Sequence, residues 1–133
     1  MRERLIQEDY PGDGWKMVVC CILLNQTTNQ QVRKVLPDLF SLIQNPEICS
    51  SLDPSSISQI IRSTGFSNVK ARRIVEMSKK WSLGFSDPRD LPGVGSYAYD
   101  SWRIFILGER DIEVGDKKLK YFLDSTKNLS AEL

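Results

Sequence analysis

The stretch Leu91-Pro92-Gly93-Val94-Gly95-Ser96-Tyr97 constrains this chain more than any other. Two glycines flank one apolar residue, and an apolar-periodic run from Tyr97 to Leu107 follows. Glycine tolerates positive φ and lets a second backbone approach closely, so Pro-Gly-Val-Gly reads as a tight hairpin between two helices, over about residues 91–108. The amides that open the second helix face outward, where unpaired N–H groups and the positive dipole end suit a phosphate. Asp116 follows after about one helix and one loop. Taken alone, a G-x-G between helices is a plain turn, and a lone Asp before a helix is an N-cap.

The other segments predict an all-α bundle of about seven to nine short helices. Trp15 to Leu24 is an apolar run of helical length, with a strand as the competing reading because of Val18 and Val19. Thr28 caps a helix from Asn29 to about Ile43, which Pro37 is expected to kink or break. Asn45-Pro46 and Asp53-Pro54 open short helices over about 46–52 and 54–63, and Gly65 stops the second. Asn68 is the expected cap of a helix from Val69 to Trp81, with Ile74, Met77 and Trp81 as its core stripe. The hairpin's second helix runs from Ser96 to about Leu107, and Gly108 ends it. Asp116 opens a last helix over about 117–124, with a frayed tail after Lys127.

The 133 residues suit one domain, with 41% apolar and 26% charged residues. No apolar run reaches membrane-span length, and Met-Arg-Glu-Arg lacks a secretion signal's apolar core. Three cysteines, two of them adjacent, make no disulfide framework and fit buried thiols in an intracellular protein. With no histidine and no C-x-x-C pair, the sequence offers no zinc site and no Cys-His or Ser-His-Asp chemistry. A net charge of +1 is low for a nucleic-acid binder. Basic residues nevertheless crowd two segments, Lys70/Arg72/Arg73/Lys79/Lys80 and Lys117/Lys118/Lys120. Either run could equally be a solvated helix face.

Leu-Pro-Gly-Val-Gly with its following helix and Asp116 resembles the helix-hairpin-helix DNA glycosylase superfamily. Within it the resemblance is strongest to the catalytic domain of the methyl-CpG-binding thymine DNA glycosylases, which remove thymine or uracil mispaired with guanine. Leu5-Ile6-Gln7-Glu8, Trp15-Lys16, Leu24-Asn25-Gln26-Thr27-Thr28, Gly65-Phe66-Ser67, Lys70 to Val75 and Gly95 to Phe105 carry it, in the family's order, from about Leu5 to Leu123.

The resemblance implies a role for each site residue. Asp116 is the catalytic carboxylate, with Lys118 a matching lysine beside it. Tyr97 and Gln7 bind the flipped base. Gln26 and Phe66 are the wedges that fill the gap in the duplex, where the nearest family has Arg and usually Leu. Gly93, Gly95, Lys70, Arg72 and Arg73 hold phosphates. Some relatives carry a Schiff-base lysine two residues after the second glycine; Tyr97 stands there and cannot form an imine, which implies a monofunctional enzyme. The partner is double-stranded DNA with a mismatched or modified pyrimidine, bound by a monomer in the nucleus of a eukaryote or otherwise in the cytoplasm. No metal or cofactor is expected: nothing after Cys49 could ligate the iron–sulfur cluster of some relatives, although the family's hairpin carbonyls can hold a monovalent cation. Two alternatives stay open: the same fold acting on modified pyrimidines, and a non-catalytic helix-hairpin-helix DNA-binding module.

Overall fold

A helix that is apolar on nearly every side has to be enclosed by others. In α1 (Gly14–Leu23) every residue from Met17 to Leu23 is buried, and so is Trp15. The strand alternative fails here, because Asp13 caps the segment by accepting from the Lys16 amide at 3.0 Å. The structure, a computed structural model, describes residues 2–132, with side chains as far as Thr126. Around α1 stand α2 (Asn29–Leu42), α3 (Pro46–Ser50), α4 (Pro54–Ile60), α5 (Ser67–Leu83), α6 (Ser96–Phe105) and α7 (Lys117–Glu132). Single 3-10 turns lie at Ile6–Asp9, Arg62–Thr64 and Pro88–Asp90, and the described residues contain no strand. The chain is thus all-α.

The caps follow local chemistry. Thr28 accepts from the Gln31 amide, Asn45 from Ile48 and Asp53 from Ser55, as the sequence indicates. The ends of α3, α4 and α6 fall two or three residues early, and three further features differ more. The second helix continues through Pro37, which is exposed; its missing bond is outweighed by the buried stripe Val32, Val35, Leu36 and Leu39. Asn68 does not cap α5: its side chain accepts from the Ser58 hydroxyl at 2.6 Å, and the helix starts at Ser67 behind a left-handed Phe66. The last helix extends to Glu132, past the expected end at Asp124; Leu133, the tip of the tail expected to fray, lies outside the described residues.

The α5 helix is the platform on which α1, α3 and α4 pack, and α6 packs on α1. Their apolar faces form the main core. A second, smaller cluster joins Leu119, Phe122 and Leu123 of α7 to Ile104 of α6 and to Leu5, with Tyr97 and Phe105 packed against both clusters. The helix that follows Asp116 is therefore seated on this satellite cluster.

Candidate functional site

The hairpin is tighter than two helices and a turn. Its first arm is the single 3-10 turn Pro88–Asp90, because Asp87 caps it and Leu91 is already extended. The Val94 amide closes the turn onto the Leu91 carbonyl at 3.2 Å. Gly93 has φ +85°, and a Cβ there would meet Ile22 of α1 at 3.0 Å. Gly95 is different: its backbone is extended, and a Cβ would touch nothing within 4 Å. Gly95 also caps α6 without any side-chain hydrogen bond, so no side chain among the described residues occupies the amides of the first turn.

Those amides border a groove of about 1160 Å³. Gly93 to Ala98 form one wall, the α1 end from Cys21 through Thr27 a second, and Gly115 to Lys118 a third; Arg73 of α5 and Asp100 of α6 complete it. Asp116, Tyr97, Gln26, Gly93, Gly95, Arg73 and Lys118 thus meet in one place. Asp116 also caps α7, its Oδ2 accepting from the Leu119 amide at 3.0 Å. That bond fixes the carboxylate through Oδ2 alone, and Oδ1 has no hydrogen-bond partner among the described residues, so the capping and groove-facing roles coexist.

Tyr97 is half-buried, and burial raises its hydroxyl above the ordinary value for tyrosine. Gln7 donates to that hydroxyl at 2.7 Å and to the Ser101 hydroxyl at 3.2 Å. It stands behind Tyr97 and is not part of the groove wall. Its Oε1 is buried with no partner among the described residues. Gln7 itself is 1% exposed, so it acts on the groove through Tyr97.

Gln26 and Phe66 are both exposed, and they are the only non-glycine residues of positive φ among the described residues, at 57° and 48°. Gln26 lines the groove. Phe66 is not tucked into the core: it is 61% exposed. Lys118 reaches the groove while paired with Glu3 at 2.9 Å.

One predicted phosphate ligand is misplaced. Lys70 is 1% exposed, and its ammonium donates to the Leu23 and Thr64 carbonyls at 2.8 Å each. It cannot reach a phosphate. Arg72 and Arg73 are exposed on α5, and Arg73 alone of the group lines the groove. Asp100, unassigned from sequence, lies one helical turn beyond Tyr97 and so shares its face. Burial holds its carboxyl above the usual range, against the pull of Arg103. Cys21 and Asn29 also line the groove, and nothing local in the sequence distinguishes them.

A model of the family described as HhH-GPD superfamily base excision DNA repair protein matches residues 19–128. The chain is 32% identical over 122 residues to a methyl-CpG-binding domain protein 4-like protein of Arabidopsis thaliana, covering 90% of this chain and 27% of that one. It is 27% identical over 116 residues to a thymine-DNA glycosylase of Aeropyrum pernix, covering 73% and 52% respectively. Among solved structures, a thermostable thymine-DNA glycosylase superposes with a TM-score of 0.71 at 22% identity, covering 81% of this chain and 53% of that one. Endonuclease III in a trapped covalent complex with DNA superposes at 0.67 with 26% identity, covering 78% and 52%. The chain spans about half, or less, of the length of these curated relatives.

Proposed function

Because this chain belongs to the HhH-GPD superfamily of base excision DNA repair proteins, we propose that it is a monofunctional DNA glycosylase that releases thymine or uracil opposite guanine. One observation carries the reading: Asp116, Tyr97 and the Gly93–Gly95 hairpin share a single groove. The uncapped amides of α6, with Arg73 beside them, suit the phosphates flanking the target nucleotide. A base inside the duplex is out of reach, so it must be everted, and the reading assigns the gap to exposed Gln26, on the groove wall, and to exposed Phe66.

The everted base rests against Tyr97. Gln7, buried behind Tyr97, donates to the Tyr97 hydroxyl and so holds the ring against which the base rests. As the bond between C1′ and N1 breaks, its electron pair leaves with the base and positive charge grows on the sugar. The Asp116 carboxylate stabilises that charge and orients a water; the water oxygen bonds to C1′, one of its protons passes by way of Asp116 to the departing base anion, and an abasic site remains. The reading requires no cofactor. With Tyr97 where an imine-forming lysine would stand, no strand cleavage follows.

A binding-only module is disfavoured by the two carboxylates, Asp100 and Asp116, in the groove, since each would repel the backbone and weaken binding. The test is a cleavage assay on labelled duplexes carrying G·T, G·U, A·U and 5-substituted pyrimidines opposite G. Strand breaks that appear only after alkali, and that Asp116→Asn abolishes, are the expected result. Asn is itself a good N-cap, so the variant should keep its stability to about 0.5 kcal/mol. Breaks without alkali would refute the monofunctional assignment. Tight binding with no base loss on any duplex would overturn the enzyme.

A further inference from the structure

Lys70 is buried whereas Arg72 and Arg73, close beside it in sequence, are exposed. It lies on the buried face of α5, four residues before Ile74 and seven before Met77, both fully buried. Its Nζ bonds the carbonyl of Leu23, the last residue of α1, three residues before Gln26. It equally bonds the carbonyl of Thr64, two residues before Phe66. Among the described residues, Gln26 and Phe66 are the two left-handed ones that are not glycine.

An ammonium at this depth is unfavourable unless paired, and burial lowers the Lys70 pKa to about 8. An apolar chain of the same length would fill the space but leave the Leu23 and Thr64 carbonyls without that donor, so the lysine is there for its two hydrogen bonds. What lysine alone supplies is a cross-link between the segments that enter the two strained loops. The Leu23 carbonyl lies at the negative end of α1, which favours a cation there. The Gln26 loop is weakly held by its own bonds: Asn25 to Ile22 at 3.4 Å and Thr27 to Leu24 at 3.3 Å. Strained conformers persist only where the surroundings over-determine them.

We propose that Lys70 is a positioning residue whose ammonium staples the Leu23 and Thr64 carbonyls together, fixing Gln26 and Phe66 relative to one another as a paired wedge for eversion. This rests on the base-flipping reading above. A rigid pair enters the stack at one defined spacing, whereas two independent loops would lose that geometry and the productive orientation with it.

The experiment compares the full chain with its Lys70→Met and Lys70→Gln variants on two duplexes. One carries a G·U pair flanked by 2-aminopurine. The other carries the same uracil opposite an abasic gap, where no stacked partner resists eversion. In Lys70→Met, single-turnover base release from G·U falls about tenfold or more, release from the gapped duplex falls less than about threefold, and the 2-aminopurine brightening on binding falls with the G·U rate. Equal loss on both duplexes, or unchanged release and brightening, overturns the proposal. Lys70→Gln keeps one donor in place and must show the same selective loss, which covers failure of the methionine variant to fold. If the wild type releases base from neither duplex, the glycosylase reading fails on its own. The brightening then decides the staple: reduced in the variants supports it, unchanged overturns it.

Discussion

The Gln7 amide donates to the Tyr97 hydroxyl at 2.7 Å across 90 residues of sequence, so the N-terminal segment holds the groove's tyrosine in place. Gln7→Ala removes that donor, unpairs a partly buried hydroxyl and opens a small void. A loss of about 2 kcal/mol in denaturant unfolding is expected. Base release should fall further than DNA affinity, since eversion precedes the contact. Unchanged unfolding would show that the bond contributes nothing.

The two hairpin glycines separate by what each is for. Gly93 has φ +85° and faces Ile22, so Gly93→Ala should destabilise by about 1–2 kcal/mol or more. Gly95 is extended and meets open space, so Gly95→Ala should fold normally, within about 0.5 kcal/mol. Its methyl would instead stand where a phosphate approaches. Affinity for an abasic-site duplex should drop at least about tenfold, measurable by fluorescence anisotropy. Equal stability losses in the two variants would contradict this assignment.

The sequence reveals the parts of this site that rest on local chemistry and conceals those that rest on packing. The caps Thr28, Asn45 and Asp53, the Gly93 turn and Asp116 all depend on a few neighbouring residues, and each was readable. Lys70 was readable only by choosing between two signals. Its spacing from Ile74 and Met77 points inward, while the adjoining Arg72 and Arg73 suggest one charged face. Its carbonyl partners, 47 and 6 residues away, settle the matter, and no local pattern names the farther one. Cys21, Asn29 and Asp100 join the groove only because α1, α2 and α6 converge, which is tertiary information. Nothing local to Gln7 shows that it is buried behind Tyr97 and off the groove wall; that follows from the packing of its 3-10 turn on α6.

Strain at the wedge predicts a trade between stability and activity. A non-glycine residue in the left-handed region is disfavoured by about 1–2 kcal/mol, partly offset by glycine's greater freedom when unfolded. Gln26→Gly and Phe66→Gly should each change stability by between about 0 and +1 kcal/mol while slowing base release from paired duplexes. A loss of stability on either substitution would mean that the side chain, and not the backbone, is holding its loop.

Alkaline pH should unfold the protein through its thiols. Burial raises Cys20, Cys21 and Cys49 above 9.0, Cys21 to about 12, and the three are unpaired. Their folded values lie above the unfolded ones, so their contribution is complete below pH 9 and is lost as the pH rises beyond it. Lys70 has the opposite sign. Its folded value near 8 lies below the unfolded 10.5, so its contribution grows as the pH rises between the two, and its carbonyl bonds temper the effect. Each unmatched proton is worth about 1.4 kcal/mol per pH unit, so three thiols outweigh one amine. Urea midpoints should fall above about pH 9, and fall more steeply in Lys70→Met, which lacks the compensating group. A flat profile to pH 10.5 would show that the thiols are not protected as their burial implies.

Asp116 can act only if α7 stays seated, and among the described residues α7 is seated by the satellite cluster and by contacts from the N-terminal segment. Leu5 is 2% exposed in the satellite cluster with Leu119, Phe122 and Leu123. Glu3 pairs with Lys118, and Arg2 lies over the Phe122 ring at 4.7 Å while forking onto Glu8. Leu5→Ala should cost about 2–4 kcal/mol locally. Because this cluster is distinct from the main core, the loss should appear as local opening and not as global unfolding. Amide exchange should quicken over Leu119–Leu123 and stay slow over Met17–Leu23. Exchange rising equally in both segments would join the two clusters into one cooperative unit and remove the basis for treating the Asp116 helix as separately anchored.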